Sequence, residues 1–263
     1  SWVPSPRAVL RMVDATAARA REFAEQAEVP EDDGEVLVIV VDSKGAPSIS
    51  SRELARRCRT RGERASAKGR HGRRQRRRQF PKQRRGPGKK SKNAKMATVG
   101  VLYTLRRLPN GKLEGPCNKQ VLATFGGDRA LFERLRAAAW RRGYGTRKFK
   151  VVQFISDGAK PLRLLQEEFF PDAERCLDWI HAVEYLWDVG KAICRNTRRQ
   201  RAELETWVAQ HKKLLRRGQV AIVTSELEEV LANTAMTGPG NKYRRKVLTD
   251  TIRYFTQNQS AMN

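Results

Sequence analysis

The apolar residues follow a helical spacing near the N-terminus and a strand-like spacing directly after it. Between residues 6 and 27 they recur every three or four positions, and Ser5 with Pro6 at the first helical position predicts the start of an amphipathic helix. Residues 35–42, EVLVIVVD, are apolar on both faces and rich in β-branched side chains, which indicates a central buried strand. We expect this strand to end on an acid, Asp42.

The middle of the chain predicts a hairpin, a helix and a second apolar strand. Residues 96–125 contain two strand-like runs separated by Pro-Asn-Gly at 109–111, a sequence typical of a hairpin turn. The sequence DRALFERLRAAAWRRG predicts a helix that Asp128 caps and Gly143 ends. The following run, FKVVQFIS, predicts a strand that again ends on an acid, Asp157.

The rest of the chain becomes increasingly helical. A helix is predicted after residue 159 and a short strand before residue 179, and from about residue 183 the pattern is wholly helical, with breaks at Gly218 and at the TGPG sequence. His211, on one of these basic helices, is expected to be exposed to solvent. The order of elements favours an α/β core with a helical appendage.

The positive charge is concentrated in one stretch. The chain carries a formal charge of +26, and residues 51–95 contribute +18 of it, with only Glu53 and Glu63 as acids. We call residues 52–95 the basic segment. Its composition predicts a disordered insertion that binds nucleic acid through phosphate contacts, with a solubilising or nuclear-localisation-like tract as the alternative. The candidate DNA contacts are Arg73, Arg74, Arg76, Arg77, Arg78, Lys82, Arg84, Arg85, Lys89 and Lys90.

Composition limits the classes of protein that the chain can belong to. Its apolar content of 39% can supply a core, and no run is long enough to predict a membrane span. The four cysteines show no CxxC spacing, which argues against a zinc ribbon and a disulfide framework. These features predict a cytoplasmic protein. The start on Ser1 rather than Met suggests a piece of a longer chain.

Asp42 and Asp157 are the candidate catalytic residues. If their strands are neighbours, the two carboxylates lie close enough to act together, either as general acid and base or as ligands of Mg²⁺. Two such ions support phosphodiester cleavage, which suits a polycationic chain. Asp178 and His181 are three positions apart, so the carboxylate is expected to orient the imidazole or to help coordinate a metal. The simpler interpretations are turn aspartates and a packed histidine.

Four stretches of the sequence resemble DDE transposases of bacterial insertion sequences, of the Kra-like type related to mutator-like elements. They are VVDSKGAP, RRGPGKKSKNAKMATVGVLYT, FISDGAKPL and FFPDAERCLDWIHAVEYLWDVGKAI. The resemblance covers essentially the whole chain. Its most specific parts are the basic stretch that leads into Met96 and the Asp-Trp-Ile-His sequence followed by Glu-Tyr-Leu-Trp.

The resemblance implies an α/β fold with an RNase H-like mixed sheet flanked by helices. Residues 1–34 would form an N-terminal helical segment, residues 35–182 the core with the basic segment inserted, and residues 183–263 an all-helical insertion. The site would bind two Mg²⁺ or Mn²⁺ ions through an Asp, Asp, Glu triad, with Asp42 and Asp157 as its first two members. Asp178 and His181 would be the family's Asp-x-x-His signature.

Two departures from the family pattern affect the predicted activity. The family usually reads Asp-Gly-Lys-Gly where this chain has Ser43 in second place. The final Glu is expected in a Gly-rich segment beyond residue 263, so we expect this chain to be truncated at both ends and inactive alone.

The intact protein would cut and transfer DNA strands at transposon ends and target sites, in a bacterial nucleoid-associated complex that could be a homo-oligomer. The alternatives are an RNase H-like nuclease that completes its site with another acid, and a non-enzymatic basic protein that binds DNA or RNA.

Overall fold

The computed structural model describes residues 5–26, 28, 30, 33–47, 52, 55, 56, 59, 94–194 and 198–262. The described strands are β1 (Val36–Pro47), β2 (Ala94–Arg107), β3 (Leu113–Thr124), β4 (Val151–Ser156) and β5 (Glu174–Leu177). The helices are α1 (Pro6–Gln26), α2 (Asp128–Arg141), α3 (Lys160–Phe169), α4 (Trp179–Ile193), α5 (Arg198–Arg216), α6 (Val220–Ala232) and α7 (Asn241–Asn258), and a 3₁₀ turn follows (Gln259–Ala261).

The five strands form one mixed sheet in the order β3-β2-β1-β4-β5. β2 pairs antiparallel with both β1 and β3, whereas β4 pairs parallel with both β1 and β5. β1 lies in the middle of the sheet, and its apolar residues from Val36 to Ile39 are at most 5% exposed. The prediction of a central strand in an α/β fold is therefore confirmed, because only a strand covered on both faces buries side chains of both orientations.

β1 is longer than the apolar run that predicts it. The strand continues past Asp42 to Pro47, and its antiparallel pairing with β2 extends to the pair Pro47 and Ala94. The expectation that the strand ends on Asp42 is wrong, because β2 supplies backbone hydrogen bonds along the polar part of β1. What ends at Val41 is the parallel pairing with β4.

The predicted hairpin and the helix after it are confirmed, but the predicted helix cap is not. β2 and β3 are joined at residues 108–112, where the Gly111 N–H donates to the Leu108 carbonyl over 2.9 Å. α2 begins after Gly127, which makes no side-chain cap. The Asp128 carboxylate instead accepts a hydrogen bond from the Thr98 hydroxyl over 2.5 Å, and so joins α2 to the sheet.

Two hydrophobic clusters lie within the described residues. The first joins one face of the sheet to α2 and α3, and it contains a group of phenylalanines: Phe132, Phe154, Phe169 and Phe170. The second joins the end of β5 to the helices that follow, with Leu177, Leu186, Leu227, Leu248 and Phe255 as members. We call the helices α4 to α7 the helical region. It packs onto the sheet at the end of β5.

α1 forms as predicted, but several of its apolar side chains are exposed. The Ala8 N–H donates to the Ser5 hydroxyl over 3.2 Å, which confirms the predicted N-cap. Met12 is 57% exposed and Phe23 is 77% exposed. Within the described part of the chain, no helix is both long and apolar enough to cross a membrane.

Candidate active site at the carboxyl ends of three parallel strands

Three aspartates occupy equivalent positions at the ends of three neighbouring parallel stretches. The pairing of β1 with β4 ends at Val41 and Ser156, and the pairing of β4 with β5 ends at Ser156 and Leu177. The next residues are Asp42, Asp157 and Asp178, which we call the aspartate row. Neighbouring strands lie about 4.8 Å apart, so consecutive members of the row start from adjacent backbone positions.

Asp42 is the exposed member of the row. It is paired with Val99 of β2 on one side, and on the other it lies one residue past the end of the pairing with β4. Its Oδ1 accepts a hydrogen bond from the Ser43 N–H over 2.7 Å. The backbone of Asp42 is therefore held within a strand, while its carboxylate reaches solvent.

Asp157 is half-buried and opens a tight turn between β4 and α3. Its Oδ1 accepts a hydrogen bond from the Ala159 N–H over 2.9 Å, and Gly158 between them has a φ of 79°. Asp157 therefore stabilises the turn through its side chain, as an aspartate at the end of a strand often does. The hydrogen bond from Ala159 fixes one carboxylate oxygen, so the orientation of the Asp157 side chain is well defined.

Asp178 caps α4 and does not contact His181 in the way that the sequence suggests. Its Oδ1 accepts the Ile180 N–H over 2.8 Å, and its own N–H donates to the Ser156 carbonyl over 2.8 Å. The half-buried His181 places Nδ1 at 3.4 Å from a Glu184 carboxylate oxygen. The predicted orientation of the imidazole by Asp178 is thus replaced in the structure by the pair of His181 with Glu184.

Two stacked tyrosines lie in the negative potential of the aspartate row. The rings of Tyr185 in α4 and Tyr254 in α7 are 4.0 Å apart, and the Tyr254 hydroxyl donates to the Asp157 carbonyl over 3.0 Å. Burial raises the pKa of Tyr254, and the nearby charges, including those of Asp157 and Asp178, raise it further. Tyr254 therefore remains a protonated hydrogen-bond donor at neutral pH.

The donor set of the aspartate row suits a hard divalent cation, since carboxylate oxygens are the preferred ligands of Mg²⁺ and Mn²⁺. Among the described residues, however, no group of three or more His, Cys, Asp or Glu side chains is close enough to hold a metal ion. The sheet places the backbone positions side by side, and Asp157 and Asp178 each direct one oxygen to a backbone N–H. The row therefore presents carboxylates at one edge of the sheet and does not form a closed metal cage.

The predicted DNA contacts between Arg73 and Lys90 lie outside the described residues. The strands on either side of these residues, β1 and β2, are described. Pro47 at the end of β1 pairs with Ala94 at the start of β2. Both attachment points lie beyond Asp42 in the direction of β1. The basic segment therefore leaves the sheet at the end that carries the aspartate row.

A buried ion pair that sequence reasoning missed lies at the other end of β1. The Asp33 side chain is 0% exposed and accepts hydrogen bonds from Arg142 Nη2 over 2.5 Å and Nε over 2.9 Å. Thr104 and Asn118 also donate to it. Asp33 gives no local signal, because its main partner is 109 positions away.

His211 is buried, and the prediction that it is solvated is wrong. It is 4% exposed, and its ring stacks on that of Trp207 at 3.8 Å between centroids. Nδ1 lies 2.8 Å from the Trp207 carbonyl oxygen, and Nε2 lies 2.8 Å from Glu226 Oε2. His211 thus joins α5 to α6 and forms part of the wall of a cavity of about 470 Å³. The basic neighbours of His211 in the sequence conceal this packing role.

No protein-family profile matches the sequence, and no curated protein matches it at a significant level.

Proposed function

We propose that this chain is the catalytic region of a DDE-type DNA transposase built on an RNase H-like core. The observation that carries the proposal is the placement of Asp42 and Asp157 on adjacent strands, each one residue past their last parallel pair. The mixed five-stranded sheet flanked by helices is compatible with such a core. Functional groups collect at the carboxyl ends of parallel strands, because the sheet fixes the backbone there and the loops leave the side chains accessible.

In this proposal Asp42 and Asp157 hold two Mg²⁺ or Mn²⁺ ions. When bound, such ions activate an attacking hydroxyl and stabilise the leaving oxygen of a phosphodiester. The chain contributes two carboxylates with limited freedom. Asp42 belongs to a paired strand, and the Ala159 N–H holds the turn of Asp157. Limited freedom favours metal binding, because fewer conformations are lost when the ligands are fixed.

The position of the basic segment supports DNA as the substrate. Its attachment points at Pro47 and Ala94 lie five residues beyond Asp42 along β1, or about 17 Å at 3.3 Å per residue. A segment this cationic binds phosphates with little dependence on sequence. In the proposal, this segment holds the DNA whose phosphodiester reaches the aspartate row.

A nuclease is the second candidate function. The position of Asp178, one residue past the end of β5, favours it. This residue adds a third carboxylate to the row, although the three side chains do not form a closed metal cage as they stand. In the transposase proposal, Asp178 would border the site and cap α4, and the final acid would come from elsewhere.

Titration of the 263-residue chain with Mn²⁺, followed by electron paramagnetic resonance, tests the metal site. We expect Asp42→Asn and Asp157→Asn each to weaken Mn²⁺ binding at least ~10-fold, because each removes a charged ligand. Asp172→Asn is the matched control, since it makes the same chemical change at an exposed turn residue. Binding that neither variant at the row alters would contradict the proposal.

Incubation of the same proteins with a DNA oligonucleotide and Mn²⁺ separates the remaining possibilities. Cleavage by the unmodified chain that is lost in Asp178→Asn would favour the nuclease. Mn²⁺ binding at Asp42 and Asp157 without cleavage would favour the transposase region that needs a further carboxylate. Salt-sensitive DNA binding without Mn²⁺ binding would indicate a non-enzymatic DNA-binding protein.

A further inference from the structure

The last helix, α7, contacts the turn that carries Asp157 through two residues on one of its faces. Tyr254 and Asn258 are four positions apart, so their side chains lie on the same side of the helix. The Tyr254 hydroxyl donates to the Asp157 carbonyl over 3.0 Å, and the Asn258 amide donates to the Tyr254 carbonyl over 2.9 Å. One turn of α7 therefore contacts the end of β4 directly.

Gly158, the next residue of the turn, packs closely against the side chains of Asn258 and Leu177. An ideal Cβ built on Gly158 would lie 2.6 Å from Asn258 Oδ1 and 2.7 Å from Leu177 Cδ1. Real Cβ atoms are essentially never found that close to a neighbour. Because Gly158 also has a positive φ, glycine is favoured here both by the backbone conformation and by the close approach of the Asn258 and Leu177 side chains. Asp157 and Gly158 are thus both in contact with the helical region.

Tyr254 is itself held in place. Its ring stacks on that of Tyr185 with an angle of 18° between the planes, and both side chains are half-buried. A second link nearby fastens the end of β5, where Arg175 donates to the Ser260 hydroxyl over 2.7 Å. The orientation of the Tyr254 hydroxyl is therefore set by packing before any ligand arrives.

We propose that Tyr254 is a positioning residue for Asp157, through which α7 sets the orientation of the second acid of the candidate site. This inference rests on the proposed function, because it assigns a purpose to the orientation of Asp157. The Tyr254 hydroxyl fixes the carbonyl of Asp157, and the Ala159 N–H fixes its Oδ1. Together they hold the turn from both sides and leave Oδ2 in a defined direction.

Tyr254→Phe is the direct test, because it removes the hydroxyl and keeps the ring that stacks on Tyr185. Tyr243→Phe is the matched control, since Tyr243 lies on the same helix and is 62% exposed. Both proteins are compared with the unmodified chain in thermal unfolding, amide hydrogen exchange and Mn²⁺ titration. The exchange measurement reports on the turn itself and requires no bound metal.

We expect Tyr254→Phe to accelerate exchange of the Ala159 amide and to weaken Mn²⁺ binding about three- to ten-fold, the range for loss of one hydrogen bond. The melting temperature should change little, and Tyr243→Phe should match the unmodified chain in all three measurements. A role in packing alone would lower the melting temperature without a selective change at Ala159.

Two results would overturn the inference in distinguishable ways. Unchanged exchange at Ala159 and unchanged Mn²⁺ binding in Tyr254→Phe, with Mn²⁺ binding that depends on Asp42 and Asp157, would refute the positioning role alone. Mn²⁺ binding that does not depend on Asp42 and Asp157 would refute the proposed function, and the positioning role with it.

Discussion

Asp33 shows how a single residue can join distant parts of this fold. The charged pair with Arg142 brings Asp33, three residues before the start of β1, against the end of α2, and Thr104 of β2 donates to the same carboxylate. Removing one partner of a buried pair leaves an uncompensated charge in a low dielectric, which is far more costly than loss of a surface pair. Asp33 is therefore a structural residue of the sheet, separate from the aspartate row.

Asp33→Asn should change both the stability of the protein and its dependence on pH. Burial raises the pKa of Asp33, but hydrogen bonds from Arg142, Thr104 and Asn118 outweigh it and hold the pKa below the ordinary value of 3.8. Such a group stabilises the fold above its unfolded pKa and loses this contribution as the pH falls through the folded pKa. We expect a loss of about 3–5 kcal/mol at pH 7, because Arg142 remains buried without its partner charge.

Urea unfolding at pH 7 and at a series of values below pH 4 measures both effects. The unmodified chain should lose stability as the pH falls below about 4, and Asp33→Asn should lose less over the same range. Glu167→Gln is the control, because Glu167 is 57% exposed and forms only a surface pair with Arg163. Equal acid sensitivity of Asp33→Asn and the unmodified chain would contradict the assignment.

At the scale of elements, the packing of α7 on the turn after β4 makes Gly158 a test of how the helical region is attached. Gly111 in the hairpin turn has a φ of 78°, almost the same as the 79° of Gly158. A Cβ on Gly111 would meet no atom within 4 Å, whereas a Cβ on Gly158 would overlap Asn258 and Leu177. The two glycines therefore differ in surroundings and share the same backbone conformation.

Gly158→Ala and Gly111→Ala separate the two contributions. We expect Gly111→Ala to lower the free energy of unfolding by about 1–2 kcal/mol, the cost of a left-handed backbone for a residue with a Cβ. Gly158→Ala should cost more, because the side chains of Asn258 on α7 and of Leu177 must also shift. Chemical denaturation of both variants provides the measurement, and equal losses would show that α7 does not press on Gly158 in solution.

Local periodicity in the sequence predicts those elements that depend on their own residues. The central strand, the hairpin and α2 follow from patterns of apolar residues and turn residues, and the structure confirms them. The length of β1 could not be predicted in this way, because its polar half is held by β2, which begins only at the end of the basic segment. The burial of His211 was missed for the same reason, since Glu226 lies on another helix.

The candidate site was only partly accessible from the sequence. Asp42 and Asp157 stand out because each follows an apolar run. The register that aligns them with Asp178 is a property of the pairing between strands. Tyr254 gave no signal, because it is 97 positions from Asp157 and carries no recognisable motif.

At the scale of the whole molecule, the aspartate row and the strand ends that flank the charged stretch lie at the same end of the sheet. The chain has a formal charge of +26, of which residues 51–95 contribute +18, and Pro47 and Ala94, near the two ends of that stretch, pair about 17 Å beyond Asp42 along β1. Acids at the edge alone would repel DNA. In the proposed function, the cations of the basic segment would offset this repulsion by binding the phosphates.

Neutralisation of the ten candidate contacts from Arg73 to Lys90 should weaken DNA binding and reduce its dependence on salt. Each phosphate contact that is lost reduces the slope of log K against log salt concentration by about 0.9 for duplex DNA. Arg11→Gln with Arg19→Gln, both exposed on α1, provides a control for a change in charge elsewhere. Fluorescence anisotropy over a range of salt concentrations measures the slopes. A slope equal to that of the unmodified chain would exclude the basic segment as the contact to DNA.

The contact between Tyr254 and Asp157 also has a consequence in the opposite direction. Linkage is reciprocal, so a ligand that binds Asp157 more tightly when α7 is docked must stabilise the docked helix by the same free energy. Ligand binding at the aspartate row would therefore stabilise the packing of α4, α6 and α7, which share one hydrophobic cluster. The helical region would report on the site, and its own stability would rise each time the site is filled.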